Sequence, residues 1–130
     1  MLLGIKTDNP VAELYLYGDD GQLIASKQWQ ADRELAHWLL REIDTFLSEH
    51  QGSLQTLTGL FVFQGPGSFT GLRIGLTVMN TLAYAQHIPI VGAQGEDWQQ
   101  VAISALLSGA DDRVVLPFYG ADARVTKPKK

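Results

Sequence analysis

The chain has 130 residues, of which 45% are hydrophobic and 18% are charged, as expected for one globular domain. Its formal net charge of -4 argues against a broad basic surface, so any nucleic-acid contact would be local or made through a partner. Cysteine is absent, which excludes disulfides and thiolate metal sites. No window approaches the roughly 18 to 20 apolar residues of a membrane span, and the N-terminus lacks a signal peptide's layout. We therefore expect a cytoplasmic protein without membrane contact.

The first part of the chain predicts a meander of three short strands. Apolar runs between turn residues mark the strands, and the Asp19-Asp20-Gly21 turn joins the last two as a hairpin. The strands are predicted over residues 2–7, 11–17 and 22–29.

The next predicted element is a helix over residues 33–50, with Asp32 as its N-cap and Gly52 closing it. Apolar residues three or four positions apart form one stripe, which predicts a face buried on the core. The stripe consists of Leu35, Ala36, Leu39, Leu40, Ile43, Phe46 and Leu47. Trp38 lies well off this stripe, and a single such tryptophan is more often a partly covered surface residue than an interaction hot spot.

A strand-turn-helix joint lies at the centre of the chain, in the sequence Gln64-Gly-Pro-Gly-Ser-Phe-Thr-Gly-Leu-Arg-Ile-Gly75. The strand stops at a turn in which Gly65 and Gly67 free the backbone. Ser68 is the predicted N-cap of the helix that follows. The strand and the helix are predicted over residues 60–63 and 69–86.

The helix of this joint carries more apolar surface than packing on one side of a sheet requires. Its apolar arc is roughly 200° wide, where about 100° suffices. The surplus face consists of Leu72, Leu76, Met79 and Ala83. Together with Trp38 and Asn80, this face is the predicted interface with a partner or a second copy. Gly67, Gly71 and Gly75 recur at every fourth residue, which predicts the close approach of another backbone.

Three more elements complete the predicted fold. They are a strand over residues 88–91, a third helix over residues 96–107 and a strand over residues 114–118. The succession of strands and helices predicts a mixed α/β sheet with helices on both faces. The right-handed crossover rule gives the strand order 3-2-1-4-5. The basic tail, residues 121–130, has no core pattern; it could contact RNA phosphates, although a solvated terminus is the more ordinary interpretation.

The residues suggest little catalytic chemistry. Glycine turns before helices often hold phosphates, but this one lacks a dinucleotide fingerprint's spacing and a Walker loop's Gly-Lys-Ser/Thr, so a structural turn is favoured over an anion site. Lys6 and Asp8 follow the first strand, at the edge where α/β proteins bind ligands, and Lys6 and Thr7 are the candidate nucleotide-binding residues. The sequence marks no activated nucleophile, metal-ligand pair or carboxylate pair. We expect no catalytic residue, metal or cofactor.

Four stretches together resemble the bacterial TsaB family, also called YeaZ. They are residues 2–12, the Asp-Asp-Gly hairpin, residues 65–75 and Ile88-Pro-Ile-Val-Gly92. The resemblance runs through residues 1–92 in order. It implies one lobe of the actin-like, sugar-kinase-like ATPase fold, and a role in making threonylcarbamoyladenosine (t6A) next to the tRNA anticodon.

The resemblance also implies partners. A TsaB-like protein is a non-catalytic subunit that pairs with its paralogue TsaD, which carries the transferase chemistry, and the ATPase TsaE joins them. Pairing in the family uses the first two helices, and without TsaD we expect a homodimer through the same face. Contact with tRNA would be indirect or through the basic tail. A small nucleotide-binding, kinase-like ATPase is the alternative, and a glycoprotease-like peptidase ranks last.

The chain departs from the family at three places. Ile5-Lys6-Thr7-Asp8 replaces the usual Ile-Asp-Thr-Ser, so a cation stands where kinase-like relatives have an acidic residue near the metal-phosphate. The start of the first helix, residues 35–41, also differs. Residues 113–124 resemble only the beginning of a second lobe. We therefore expect a TsaB-like lobe in residues 1–110, a remnant strand and tail in residues 111–130, and no nucleotide cleft between lobes.

Overall fold

The computed structural model describes residues 1–118, with Phe69 described by its backbone only. The strands are β1 (Leu2–Lys6), β2 (Val11–Tyr17), β3 (Leu23–Gln30), β4 (Gly59–Phe63) and β5 (Ile90–Ala93). The helices are α1 (Leu35–Glu49), α2 (Phe69–Gln86) and α3 (Trp98–Leu107). The basic tail and the predicted start of a second lobe beyond residue 118 lie outside the described residues.

The strands form one five-stranded sheet in the order β3-β2-β1-β4-β5, which confirms the predicted order. Strand β1 pairs antiparallel with β2, and β2 pairs antiparallel with β3. Strand β1 also pairs parallel with β4, and β4 pairs parallel with β5. The carboxyl ends of β1, β4 and β5 therefore lie at one edge of the sheet.

Helices cover both faces of the sheet, as predicted. Alternate residues of a strand point to opposite faces, so Leu60 and Val62 of β4 pack in the cluster that includes α1 and α2. Phe61 and Phe63 of the same strand pack around Trp98 of α3 on the other face. Both faces of β4 are buried, which explains its continuous apolar sequence.

The start of α1 differs from the prediction. Asp32 begins a short 3-10 helix, Asp32–Glu34, which makes no side-chain cap hydrogen bond. Instead, the Asp32 carboxylate accepts a hydrogen bond from Gln30 Nε2 at 2.8 Å, and α1 begins at Leu35. Asp32 is therefore not the N-cap of α1, because its side chain is turned toward the end of β3.

The last elements also begin later than predicted. Strand β5 spans Ile90–Ala93 because its register pairs Ile90 with Leu60 of β4, and α3 begins at Trp98. Residues 114–118 form no strand, so that prediction is wrong. Among residues 1–118, no helix has both the length and the hydropathy needed to cross a lipid bilayer.

Candidate functional site

Gly67, Gly71 and Gly75, which lie just before α2 and in its first turns, pack against the turn that joins β1 to β2. A Cβ added at Gly67 would clash with Asp8, one added at Gly71 would clash with the Thr7 carbonyl oxygen, and one added at Gly75 would clash with Thr7 Oγ1. Real Cβ atoms do not approach other atoms so closely, so each position requires glycine. The row thus lets the start of α2 pack directly on the backbone of the β1–β2 turn.

Hydrogen bonds fix this contact. Ser68 is the N-cap of α2, and its side chain accepts a hydrogen bond from the Gly71 N–H at 3.4 Å. The Ser68 N–H donates to the Asp8 carbonyl oxygen at 2.7 Å. Thr7, which is buried, donates its hydroxyl to the Gly71 carbonyl oxygen at 2.8 Å. The Thr7 hydroxyl and the Ser68 backbone and side chain are therefore used in holding the turn to the helix.

Gly65 has a different role in the same joint. Its φ of +117° lies in the region that favours glycine, and a Cβ there would clash with the Phe118 carbonyl oxygen. The turn after β4 is therefore tightly covered by the end of the described chain.

A cleft of about 670 Å³ opens beside the joint, at the carboxyl edge of β1. It is lined by the β1–β2 turn, the 3-10 helix and the first turns of α1 and α2. The lining residues are Asn9, Pro10, Ala31, Asp32, Arg33, Glu34, Leu35, Ser68, Thr70, Gly71 and Ile74. Lys6 and Thr7, the candidate nucleotide-binding residues, do not line this cleft.

The side chain of Lys6 is engaged elsewhere. Its ammonium group lies 2.7 Å from Asp8 Oδ1 and 4.6 Å from the centre of the Phe63 ring. Nearby on β2, burial raises the pKa of the Tyr15 phenol, and its hydrogen bond to the Glu13 carboxylate raises it further. Tyr15 is therefore neutral at physiological pH. Within residues 1–118, no group of three or more His, Asp or Glu side chains could hold a metal ion.

The predicted interface face of α2 is covered by the chain itself. Leu72 and Met79 are fully buried, and Leu76 and Ala83 are 3% and 4% exposed. The prediction that these four side chains form an uncovered interface is wrong. Sequence periodicity finds the wide apolar arc but cannot show that α2 packs on the sheet and also on α1.

Asn80, the polar residue of that predicted interface, binds the last described segment of the chain. We call this segment, residues 111–118, the strap. Asn80 Nδ2 donates to the Val115 carbonyl oxygen, and the Val115 N–H donates to Asn80 Oδ1, both at 2.9 Å. Val115 is 3% exposed and packs in the same cluster as Leu76 and Met79. The strap therefore contributes to the cover over α2.

An open groove lies at the junction between the first two helices, which we call the α1–α2 seam. This groove of about 350 Å³ follows the seam and is lined by Ala36, Thr70, Arg73, Ile74, Thr77 and Val78. Leu40, one turn after Ala36 on α1, is 52% exposed although the sequence stripe predicts burial. Trp38 is 37% exposed, with the Arg41 guanidinium carbon 5.3 Å from its ring centre.

Trp38 lies apart from this surface, because it lines a separate pocket with Trp29 and Gln30 of β3. The sequence stripes gave no indication that Leu40, Ile74 and Val78 in particular are accessible. Leu40 belongs to the apolar stripe of α1 that predicts burial, and Ile74 and Val78 lie outside the surplus face predicted for α2. The only available signal was that the stripes of both helices are wider than one contact requires.

The strand order and the glycine joint between β4 and α2 define the class of the protein: an α/β lobe of the actin-like ATPase fold. The solved structure of YeaZ from Pseudomonas aeruginosa superimposes with a TM-score of 0.65 and 28% identity, covering 72% of this chain and 43% of that one.

Sequence comparisons give the family. The family model of TsaD, tRNA N6-adenosine threonylcarbamoyltransferase, matches residues 27–103. The tRNA threonylcarbamoyladenosine biosynthesis protein TsaB of Escherichia coli is 29% identical over 120 residues, which are 87% of this chain and 51% of that protein. The Bacillus subtilis protein of the same name is 32% identical over 89 residues, covering 68% of this chain and 38% of that protein.

The chain therefore belongs to the TsaD family and, within it, to the TsaB (YeaZ) proteins. This confirms the family resemblance. The chain spans about half the length of the Escherichia coli relative.

Proposed function

We propose that the chain is a non-catalytic subunit of the t6A tRNA-modification machinery that pairs with TsaD through the α1–α2 seam. Family membership supports the pathway, since the TsaB relatives are named for threonylcarbamoyladenosine biosynthesis. The match to the TsaD family model supports a TsaD-like partner, because related lobes can pair about a pseudo-two-fold axis.

The observation that carries the proposal is the exposed apolar surface at the seam. Leu40 is 52% exposed there, and the groove beside it places Ile74 and Val78 within reach of a partner. Fully burying an aliphatic side chain contributes about 1.5 to 3 kcal/mol, and these residues are already partly covered. Since association costs about 4 to 15 kcal/mol, contacts from outside the seam must add to those of the seam, and Trp38 on the β3 side of α1 is one candidate.

The engaged state of the candidate nucleotide-binding residues supports a non-catalytic role. The Lys6 ammonium is paired with Asp8, and the Thr7 hydroxyl donates to Gly71. Catalytic use of Lys6 would first have to break its ion pair with Asp8, and use of Thr7 would have to break the bond that holds this residue to α2.

The remaining partners follow from the same proposal. Without TsaD, the chain forms a homodimer through the seam, because a two-helix surface can pair with itself about a two-fold axis. TsaE joins the complex with TsaD in the cytoplasm, and tRNA is reached indirectly or through the basic tail beyond residue 118.

A small nucleotide-binding, kinase-like ATPase is the second candidate, and the cleft at the carboxyl edge favours it. The first turns of α1 and α2 both line this cleft, and helix N-termini attract anions. Calorimetry with ATP and Mg²⁺ separates the candidates: saturable heat from the isolated chain supports the ATPase, and no heat supports the subunit.

Co-purification with TsaD from the same organism, followed by a t6A assay with and without this chain, tests the proposed function. We expect a stable complex and t6A formation that depends on the chain. Failure to bind TsaD, with t6A unchanged when the chain is omitted, would refute the proposal.

A further inference from the structure

The strap is held mainly by groups that recognise its main chain. Asn80 bonds both backbone groups of Val115, as a neighbouring β-strand would. Gln64 Nε2 donates to the Leu116 carbonyl oxygen at 2.9 Å, and the Phe118 N–H donates to the Gln64 carbonyl oxygen at 2.8 Å. Two amide side chains and the backbone carbonyl of Gln64 thus bond the main chain of the strap, although residues 114–118 form no strand.

The amino end of the strap is anchored on β5. The Asp112 N–H donates to the Ile90 carbonyl oxygen at 2.8 Å, and the Gly92 N–H donates to Asp112 Oδ2 at 2.9 Å. The Ile90 N–H donates to Asp111 Oδ1 at 3.2 Å. The carboxylates of the strap therefore satisfy the outer edge of β5, which would otherwise present unpaired backbone groups.

One side chain of the strap, that of Val115, fills the groove beneath it. Val115 is 3% exposed, and a Cβ added at Gly92 would lie 2.6 Å from Val115 Cγ1. Glycine at position 92 therefore makes the space that Val115 fills. The alternate residues Val114, Leu116 and Phe118 are 59%, 69% and 41% exposed, so the strap has a single buried anchor and an uncovered outer face.

We propose that the groove formed by Gln64, Asn80, the outer edge of β5 and Gly92 is a binding site for an extended peptide, occupied here in cis by the strap. When a chain's own strap is released, the groove takes the strap of a second copy. The seated strap identifies the occupant: an extended segment with a β-branched apolar residue at its centre and carboxylates at its amino end. This inference is independent of the proposed pairing with TsaD, because the groove lies apart from the α1–α2 seam.

A peptide supplied in trans tests the proposal on the full chain. Val115→Asp releases the strap, since a carboxylate cannot enter the space above Gly92 without a partner. A fluorescent octapeptide with the sequence of residues 111–118 should then bind this variant, by anisotropy, about tenfold or more tighter than it binds the wild type. The same peptide carrying the Val115→Asp change should not bind. Equal binding of both peptides, or no binding to a folded variant, would overturn the proposal.

Three further variants test whether the peptide occupies the assigned groove. Asn80→Ala in the Val115→Asp background should lose the peptide, because the amide that bonds the main chain is gone, whereas Thr81→Ala, an exposed neighbour, should keep it. Val114→Asp changes an exposed residue and should leave the strap in place and the groove closed to peptide. Peptide binding to the Val114→Asp chain, or unchanged binding after Asn80→Ala, would contradict the assigned groove.

Hydrogen exchange on the wild-type chain tests whether the strap can leave the groove, even if Val115→Asp fails to fold. An exchangeable strap must open without global unfolding, so the Val115 and Phe118 amides should exchange through local opening, faster than the Met79 amide of α2. Exchange of these strap amides only at the global unfolding rate would overturn the proposal.

Discussion

The side of α2 that carries Leu72, Leu76 and Met79 is covered by the rest of the chain, whereas the side that faces the α1–α2 seam stays partly open. Leu72, Leu76 and Met79 on the sealed side are no more than 3% exposed, while Ile74 of the seam lines an open groove. Both sides carry aliphatic residues, so hydrophobicity alone does not decide which of them meets a partner. What decides is how much of each side the sheet, α1 and the strap cover.

The two sides of α2 should differ most in how much the free energy of unfolding falls when a leucine is replaced by glutamate. Leu76→Glu buries a carboxylate without a partner, so we expect a loss of about 3 to 5 kcal/mol or complete unfolding. Leu40→Glu, at an exposed position, should change the free energy of unfolding by less than about 0.5 kcal/mol. Urea denaturation followed by circular dichroism measures both. Similar losses in the two variants would show that the sealed and open sides are not distinct.

A smaller loss is expected where α2 meets the β1–β2 turn. Gly71→Ala drives a methyl group into the Thr7 carbonyl oxygen, and neither backbone can move without breaking the joint. The expected net loss is about 2 kcal/mol, even though alanine gains about 1 kcal/mol over glycine in a helix. The exposed neighbour Thr70→Ala is the control in the same denaturation experiment. A stabilised Gly71→Ala would mean that the close approach is absent.

The hydroxyl of Thr7 should contribute less. Thr7→Val keeps the shape but removes the donor to the Gly71 carbonyl oxygen, so we expect a loss of about 1 to 2 kcal/mol. Thr77→Val, on the exposed side of α2, should be nearly neutral. If calorimetric melting shows no difference between the two variants, the buried hydrogen bond does not hold the joint.

The smallest effect should come from Asp19, far from α2. Hydrogen bonds from the N-terminal amino group and from the Thr58 hydroxyl hold the pKa of this carboxyl below its usual range. Its contribution is therefore present above the unfolded pKa, about 3.9, and is lost as pH falls through the lower folded value. The side chain is 65% exposed, so the contribution is less than about 0.5 kcal/mol.

Asp19→Asn should remove this acid-dependent part of the stability, and Asp44→Asn, an exposed substitution that leaves the Asp19 contacts in place, is the matched control. Urea denaturation at a series of acid pH values compares them. An identical acid dependence in both variants would rule out the Asp19 contacts.

Local signals in the sequence were sufficient to predict the β4–α2 joint and the strand order of the sheet. The bounds of α2 and its Ser68 cap follow from a serine after a glycine turn, and the strand order follows from chain connectivity. Asp32 failed as a cap because Gln30, two residues away, competes for its carboxylate. That competition is a matter of side-chain direction, which residue type alone does not give.

The candidate site was less predictable because burial depends on distant parts of the chain. Val115 helps to cover the second face of α2 from 35 residues beyond Asn80, and no periodicity within the helix reports this contact. The spacing of Leu40 in α1 predicts burial, yet its side chain is 52% exposed. Such long-range covering decides which apolar residues remain for a partner.

The most direct test of the seam compares two leucines of equal exposure. Leu40 on α1 and Leu107 on α3 are each 52% exposed, but only Leu40 lies at the seam. Light scattering of each glutamate variant mixed with TsaD measures the mass of the complex. We expect Leu40→Glu to abolish the complex and Leu107→Glu to leave it intact. A complex that survives Leu40→Glu, or that is lost with Leu107→Glu instead, would contradict the proposed seam.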